Sequence, residues 1–396
     1  MTDFLTEAKE LFSYTQSLRR DFHVHPELGF REIRTGGIVA KELETLGLDV
    51  TKGVGKTGVV GLLEGAKPGP TLLIRFDMDA LPILEETGAE YASQNSGIMH
   101  ACGHDGHTAI GLTVAKILHA HRHELAGTVK FVFQPAEEGL CGEKVGGAQM
   151  MIRDGVLDNP KPDYALSMHL WNVNPLGWVN VAAGPVMAGV EQFKVRVTGK
   201  GGHAAIPNLT VDPIVAASQM ITALQSITSR NVSPLEAAVV SVTMVHGGSA
   251  FNVIPKDVEL EGTIRTFNSE VREKVVKRFE DIAKNVGEAM SCKVNVEVKK
   301  LSPATVNDEN VSARVQDVAR RILPEANHSM DNLVTMGGED MAFMLEKIPG
   351  CYFFVGSNNS SRGLDYGHHH PKFDFDEEAL WRGAGLMSAA AAEILS

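Results

Sequence analysis

Two runs of strand length, residues 71–76 and 128–133, flank a helix predicted over residues 108–121. Both runs are rich in Leu, Ile, Val and Phe, which is typical of strands buried inside a sheet. Strands that alternate with helices predict an α/β domain, in which helices flank a mixed, largely parallel sheet. A second domain is expected as well, because a chain of 396 residues exceeds one ordinary hydrophobic core.

The pattern changes at about residue 186. Residues 193–198 alternate between apolar and polar side chains, as a strand with one face in water does. The segments that follow predict, in order, a helix over 211–227, strands over 237–245 and 258–267, a helix over 269–290 and a strand over 293–298. This order is that of a split βαβ open-faced sandwich. We therefore predict an inserted α+β domain, 186–301, within an α/β domain formed by 1–185 and 302–396.

Charge and composition exclude several classes of protein. The chain has 37 basic and 49 acidic residues, so it offers no basic face for phosphate groups, and no nucleic-acid partner is expected. The first residues contain no apolar leader, and no later run reaches the ~20 apolar residues of a membrane span. We therefore expect a cytoplasmic protein without a membrane partner. In that reducing setting, the four cysteines are expected to be thiols, metal ligands or thiolates rather than disulfides.

The densest group of possible metal donors lies at residues 100–107, where Cys102 and His104 are two positions apart. In an extended loop these two side chains would point the same way, as two ligands of one cation must. A thiolate beside an imidazole suits zinc or another borderline divalent ion. The alternative is a polar loop with a buried cysteine, and the Cys-x-His pattern alone favours that alternative.

Further donors follow predicted buried strands. Glu137 and Glu138 come directly after the run 128–133, so one carboxylate could bind a metal while its neighbour activates the attacking water. An ordinary acidic helix start is the alternative for this pair. His169 closes another apolar run, Asp residues occupy 77 and 79, and residues 368–370 are three histidines. Because open α/β sheets bind ligands beyond the carboxyl ends of their strands, these groups together predict one metal site.

Eight motifs occur in a fixed order along nearly the whole chain. They lie at residues 22–30, 77–82, 100–107, 134–139, 199–205, 251–255, 337–340 and 369–373. In this order they resemble the dimetal amidohydrolase family of hippurate hydrolases, bacterial N-acyl-amino-acid amidohydrolases and plant auxin-conjugate hydrolases, within the aminoacylase and carboxypeptidase G superfamily. The resemblance implies a zinc-peptidase-like catalytic domain and an inserted lid or dimerisation domain.

The resemblance also implies a set of metal ligands. These are Cys102, His104, Glu138, His169 and His369. His369 is preferred over His368 and His370, because the family pattern is His-x-Pro-x-Phe. Two divalent metal ions per subunit are implied, and the candidates are zinc, manganese, cobalt and nickel.

Other residues are assigned by the same resemblance. It implies Glu137 as the general base and His203 as the group that stabilises the tetrahedral intermediate. It implies Asn252 and Arg265 as contacts for the carboxylate of the substrate. The implied reaction is hydrolysis of the amide bond of a small N-acyl amino acid, hippurate-like or N-acetylated. The implied partner is a second copy of the chain, bound through an exposed sheet edge of the inserted domain.

Several alternatives remain at this point. The same scaffold could serve a dipeptidase or carboxypeptidase, or a hydrolase of auxin-amino-acid conjugates. A thiol amidase would use Cys102 as nucleophile and His104 as base. A metal- or peptide-binding protein without turnover is a further possibility, although an intact Glu137 speaks against it.

Overall fold

The structure is a computed structural model that describes residues 3–139, 141–324, 327–329 (backbone alone) and 334–396. The chain divides into two compact units. The larger unit comprises Met1–Val186, Val306–Leu333 and Asp340–Ser396, and the inserted unit comprises Met187–Thr305 and Val334–Glu339.

The described residues form ten α-helices and sixteen strands. The helices are α1 (Phe4–Glu10), α2 (Phe12–Val24), α3 (Ile33–Thr45), α4 (His104–Ala120), α5 (Gly147–Arg153), α6 (Pro213–Leu224), α7 (Ser269–Ala289), α8 (Glu309–Ile322), α9 (Ala342–Leu345) and α10 (Glu378–Ile394). The strands are β1 (Asp49–Val54), β2 (Gly58–Glu64), β3 (Lys67–Asp77), β4 (Ala126–Gln134), β5 (Tyr164–Pro175), β6 (Trp178–Asn180), β7 (Gly184–Met187), β8 (Gly189–Thr198), β9 (Gly202–His203), β10 (Ala238–Gly247), β11 (Val253–Ile254), β12 (Asp257–Thr266), β13 (Lys293–Ser302), β14 (Thr305–Asn307), β15 (Asn327–Ser329) and β16 (Gly350–Asn358). Short helical turns lie at Pro207–Leu209, Ile227–Asn231 and Ser360–Arg362.

The larger unit is built on an eight-stranded sheet in the order β1-β2-β4-β3-β5-β16-β6-β15. Its centre is parallel, since β3 pairs in parallel with both β4 and β5, and β5 pairs in parallel with β16. The outer pairs β1–β2, β2–β4 and β16–β6 are antiparallel. The predicted mixed, largely parallel sheet flanked by helices is therefore confirmed. The carboxyl ends of β3 and β4 lie side by side, with Asp77 paired to Gln134.

Helix α4 is packed into the core of the larger unit. Almost every residue from His104 to Leu118 is buried, so the helix is covered on all sides. Gly111 permits this packing, because a Cβ atom there would lie 2.6 Å from the Phe76 ring and 2.8 Å from the Phe133 ring. The close approach fixes α4 against β3 and β4, and with it the first residue of the helix, His104.

The inserted unit has a four-stranded antiparallel sheet in the order β10-β12-β8-β13. Strand β12 alternates strictly between buried and half-buried residues, and its buried side packs with α6 and α7 around Phe193 and Phe279. The element order β8, α6, β10, β12, α7, β13 is the order that the sequence predicts. Strands β10 and β13 form the two edges of this sheet.

The compact units differ from the predicted domain boundaries at three places. Residues 302–305 and 334–339, predicted in the larger domain, group with the inserted unit, and residue 186 groups with the larger unit. Hydrogen bonds to the backbone explain the placement of 334–339: the Ala188 N–H donates to the carbonyl oxygens of Thr335 and Gly337, and Arg265 Nε donates to the Met336 carbonyl oxygen. Such pairing leaves no pattern in the sequence. No helix within the described ranges is long and apolar enough to cross a membrane.

Candidate metal centre

Cys102 and His104 approach each other through a turn at the start of α4. Gly103 adopts a left-handed conformation (φ 90°), and His104 is already the first residue of the helix. The predicted extended loop is therefore wrong, because the helix starts about four residues earlier than its apolar spacing indicates. The turn nevertheless brings the donor atoms of Cys102, His104 and His169 within 4.8 Å of one another.

His169 lies inside β5 and not at a strand end as predicted, because β5 continues to Pro175. Its Nδ1–H donates to the Leu170 carbonyl oxygen over 2.7 Å. This bond leaves Nε2 as the atom with the free lone pair, and Nε2 is 3.5 Å from Cys102 Sγ. A backbone partner that fixes the tautomer in this way is typical of a histidine ligand.

Glu138 provides a buried carboxylate for the same cluster. Its Oε1 lies 3.2 Å from His369 Nε2 and 3.9 Å from His104 Nε2. This oxygen atom is buried. The donor atoms of Cys102, Glu138 and His369 lie within 4.8 Å of one another, as do those of His104, Glu137 and Glu138. Cys102 thus belongs to two groups of three donors.

The run of three histidines contributes two side chains near Cys102. His368 Nε2 accepts the Asn172 N–H over 3.1 Å, so its proton is on Nδ1, which faces Cys102 Sγ at 3.8 Å. His368 is therefore arranged as a donor toward the sulfur. His369 instead directs Nε2 at Glu138, so of the two it has the geometry of a ligand.

Asp79 orients two of these donors, a role that the sequence analysis did not assign. His104 Nδ1 lies 3.0 Å from the Asp79 carbonyl oxygen and 3.3 Å from Asp79 Oδ1, which leaves His104 Nε2 facing Glu138. Asp79 Oδ2 also accepts the Glu138 N–H over 3.0 Å. The signal in the sequence was the pair of aspartates directly after a buried strand.

Asp77 and His107 form a supporting pair rather than a ligand pair. His107 Nδ1–H donates to Asp77 Oδ1 over 2.7 Å, and His107 Nε2 accepts the Leu170 N–H over 2.9 Å. Both nitrogens of His107 are therefore engaged, although its position beside His104 and Asp77 would allow a ligand role. The pair holds the backbone next to His169.

The charges around these donors favour a bound cation. Burial disfavours the charged form of His104, but nearby carboxylates, above all Asp77 and Asp79, raise the pKa of His104 to about 10. Burial and the carboxylates of Glu138 and Glu137 raise the pKa of the Cys102 thiol. Both shifts mean that the cluster gains stability from an added positive charge, whether that charge is a proton or a metal ion.

The donor set fits a divalent metal. Two ligand atoms that each lie about 2.0–2.3 Å from one cation are themselves about 3–4 Å apart. The distances of 3.5 Å between Cys102 Sγ and His169 Nε2 and 3.2 Å between His369 Nε2 and Glu138 Oε1 lie in this range. A thiol, imidazoles and a carboxylate together suit zinc and neighbouring transition metals better than calcium or magnesium.

The remaining predicted residues belong to the inserted unit. His203 on β9 is exposed and pairs with Val253 on β11, and the Asn252 carbonyl oxygen accepts the Ala204 N–H, so His203 and Asn252 are neighbours. Arg265 is half-buried on β12, where it donates to Thr263 Oγ1 as well as to the backbone. Their predicted roles toward the substrate stay predictions.

A buried ion network adjoins the donors. Arg19 of α2 is fully buried, and it donates to Asp105 Oδ2 over 2.8 Å, to Asp374 Oδ1 over 2.7 Å and to Glu377 Oε1 over 3.3 Å. His23 Nδ1 lies 2.8 Å from the same Asp105 oxygen. Burial and Arg19 oppose the charged form of His23, but its carboxylate neighbours outweigh them and raise its pKa to about 9. The network ties α2 to the residue after His104.

Donors of this kind, in this fold, are those of a metal-dependent hydrolase. The model of peptidase family M20/M25/M40 matches residues 73–393, and the chain belongs to this family. The N-acetyl-L-cysteine deacetylase of Bacillus subtilis is 41% identical over 96% of this chain and 87% of that protein. IAA-amino acid hydrolase ILR1-like 4 of Arabidopsis thaliana is 40% identical over 99% of this chain and 88% of that protein.

A solved structure gives the same result. The Bacillus subtilis YXEP protein, described as a dinuclear metal binding peptidase from the M20 family, has a TM-score of 0.84 at 35% identity. The match covers 98% of this chain and 99% of that one. The resemblance drawn from the motifs is therefore confirmed, as is the predicted class of metal-dependent amidohydrolase.

Proposed function

We propose that this protein hydrolyses the amide bond of N-acyl amino acids with two divalent metal ions per subunit. The proposed ligands are Cys102, His104, Glu138, His169 and His369. The observation that supports this most is the convergence of these side chains, distant in sequence, into one cluster with Glu137 beside it. The relatives named as a deacetylase of N-acetyl-L-cysteine and a hydrolase of IAA-amino acids support the substrate class.

The metal ions would polarise the amide carbonyl and lower the pKa of the attacking water. Glu137 accepts the proton of that water and delivers it to the leaving amine. The Asp340 N–H lies 3.4 Å from Glu137 Oε1 and orients the carboxylate. Glu138 faces His369 and His104, so it is the proposed metal ligand. Glu137, the neighbouring carboxylate, is the proposed group for proton transfer.

Three residues of the inserted unit have proposed roles toward the substrate. His203 Nδ1 accepts the Ala205 N–H, so its Nε2 carries a proton that can be donated to a developing oxyanion. Asn252, its neighbour, and Arg265 are the proposed contacts for the free carboxylate of the amino acid. The proposed site also needs Cys102 as a reduced thiol, which supports a cytoplasmic location.

Metal removal is expected to abolish hydrolysis. Protein treated with a chelator should lose activity on N-acetyl amino acids and hippurate, and zinc, manganese, cobalt or nickel should restore it, because all five proposed ligands serve the cations. The measurement is amino acid release over a panel of N-acetyl amino acids, hippurate, IAA-amino acids and dipeptides. Preference for dipeptides would instead indicate a dipeptidase or carboxypeptidase.

The same experiment separates the thiol alternative. A thiol amidase would stay active after metal removal and would lose activity only on alkylation of Cys102. The raised pKa of this thiol already counts against that route, because a nucleophilic cysteine needs a lowered pKa. Full activity of the metal-free protein would overturn the metal-dependent mechanism.

We further propose that the protein is a homodimer joined through β10 of the inserted unit. This strand is a sheet edge with backbone groups open to pairing. Its side chains Met244 and Val245 are 44% and 57% exposed, and Phe251 in the following loop is fully exposed. Apolar side chains on an unpaired edge favour addition of a second copy of the same strand.

A charge on this edge is expected to separate the subunits. Wild-type protein should sediment at twice the 42.7 kDa of one chain, and Val245→Lys should sediment as a monomer, because each subunit would carry a charge on the apolar edge that the interface has to bury. Asn295→Lys on β13, the opposite edge, is the control and should stay dimeric. A dimeric Val245→Lys variant would rule out this interface.

A further inference from the structure

We propose that Glu32 is a positioning residue that holds the backbone next to Glu137 in its active conformation. This inference rests on the proposed role of Glu137 as general base. It assigns a role to the segment that begins with the motif at 22–30 and continues to Glu32. It requires that Glu32 acts through the backbone of Ala136, without touching the metal ions or the substrate.

The carboxylate of Glu32 is fully buried and accepts hydrogen bonds from residues that are remote in the sequence. Glu32 precedes α3, yet its side chain does not cap that helix. Its Oε1 instead accepts the Ala136 N–H over 2.9 Å, and its Oε2 accepts the Thr57 hydroxyl over 2.5 Å. A buried carboxylate that binds a backbone N–H 104 residues away specifies the position of that N–H.

Ala136 needs such support because its backbone is strained. It has a φ of 48°, in the left-handed region that residues other than glycine and asparagine rarely adopt. A strained conformation persists only where its surroundings hold it. Here the N–H is bound by Glu32, and the carbonyl oxygen accepts the Gly147 N–H over 2.9 Å. Both polar groups of the Ala136 backbone are therefore fixed.

Glu137 is thus held from both sides. Glu32 binds the N–H of the residue before it, and Asp79 binds the N–H of the residue after it, Glu138. Two buried carboxylates therefore fix the direction in which Glu137 leaves the backbone. Asp79 also orients two proposed metal ligands, His104 and Glu138, whereas neither hydrogen-bond partner of Glu32, the Ala136 N–H or the Thr57 hydroxyl, belongs to a proposed ligand.

Gly29 brings the same segment against the turn. A Cβ atom at Gly29 would lie 2.5 Å from Cys141 Sγ, 2.9 Å from the Ala136 Cβ atom and 3.0 Å from the Ala136 Cα atom. No side chain fits there without displacement of Ala136. The segment that contains Gly29 and Glu32 therefore packs on this turn through a van der Waals contact and a hydrogen bond.

The test compares two substitutions of Glu32. Glu32→Met removes both acceptor oxygens and should lower kcat by about 100-fold, because a displacement of ~1 Å at a catalytic group has this effect. KM and the metal content per subunit should stay close to wild type. Glu32→Gln keeps an oxygen for the Ala136 N–H, and its amide can donate to Thr57 Oγ1, so its kcat should be restored to within a few-fold of wild type.

Glu27→Met is a matched control in the same segment. The Glu27 carboxylate accepts the N–H groups of Arg34 and Thr35 over 3.0 and 2.8 Å, so it caps α3 and has no link to the turn. This variant should lower the melting temperature as much as Glu32→Met does, with kcat unchanged. The comparison separates loss of position at Glu137 from loss of stability.

Equal kcat in Glu32→Met and wild type, with full metal content, would overturn the inference and leave the proposed function intact. A loss of metal in Glu32→Met that parallels the loss of kcat would also overturn it. If Glu32→Met does not fold, Gly29→Ala is the deciding variant, because its added Cβ atom displaces the same turn. A kcat reduced at least tenfold in this variant supports the inference, and an unchanged kcat overturns it. Failure of the proposed function itself would appear separately, as turnover by Glu137→Gln.

Discussion

Glu137→Gln is expected to lower kcat by about 100- to 10,000-fold, while the protein binds metal as the wild type does. The amide is close to the carboxylate in size, and it can still accept the Asp340 N–H through its oxygen. It cannot accept a proton from water at neutral pH. Steady-state kinetics on the best N-acyl amino acid, with metal content measured by atomic absorption, tests this expectation.

The control for this prediction is Glu143→Gln. Glu143 lies six residues further along the chain, is partly exposed and forms an ion pair with Lys56, away from the donor cluster. Its kcat should equal that of the wild type. Near-normal turnover by Glu137→Gln would show that another group transfers the proton, and lost metal would show that Glu137 is itself a ligand.

Arg19→Met is expected to lower the free energy of unfolding by about 3–5 kcal/mol at pH 7, because it leaves buried carboxylates without their cation. The side chains of Arg19 and Asp105 are both 0% exposed, and those of Asp374 and Glu377 are about nine-tenths buried. Replacement of the neighbouring Arg20, whose side chain is 41% exposed, by Met should cost no more than about 1 kcal/mol. Denaturant unfolding of both variants gives the comparison.

The effect of Arg19→Met should depend on pH. Burial raises the pKa of Asp105, but Arg19 and then His23 outweigh it and hold this pKa well below the ordinary value of 3.8. A carboxylate with a lowered pKa contributes stability above its ordinary pKa and loses it as the pH falls. This contribution depends on Arg19, so the difference in unfolding free energy should be fully present between pH 7 and about pH 4 and should shrink as the pH falls below the ordinary pKa of 3.8. A constant difference, or equal losses in the Arg19 and Arg20 variants, would contradict this account.

The order of helices and strands could be predicted because apolar spacing reports burial directly. Strands β3 and β4 and the alternating β8 follow from that pattern, as does α7. The first turn of α4 could not be predicted, because its residues are polar and buried. His104 and His107 are satisfied there by Asp79 and Asp77, which are remote in sequence.

The residues of the candidate site also differ in whether the sequence could reveal them. Candidate ligands could be recognised from the sequence, Cys102 by its spacing from His104 and Glu138 by its position after a buried strand. Residues that act by holding others could not, since the hydrogen bonds of Asp79 and Glu32 to backbone N–H groups leave no spacing in the sequence. The choice of His369 over His368 came from a motif, and the tautomers suggested by their hydrogen-bond partners give a physical reason for it.

The sulfur of Cys102 belongs to two of the groups of three donors, so the proposed metal centre depends on the oxidation state of this one atom. Oxidation of Cys102 would remove a proposed ligand from both of these groups at once. Before any cation arrives, however, burial and the neighbouring acids keep the sulfur protonated, and a protonated thiol reacts slowly with oxidants. In the metal-free protein the Cys102 thiol is therefore expected to resist oxidation until a metal ion binds.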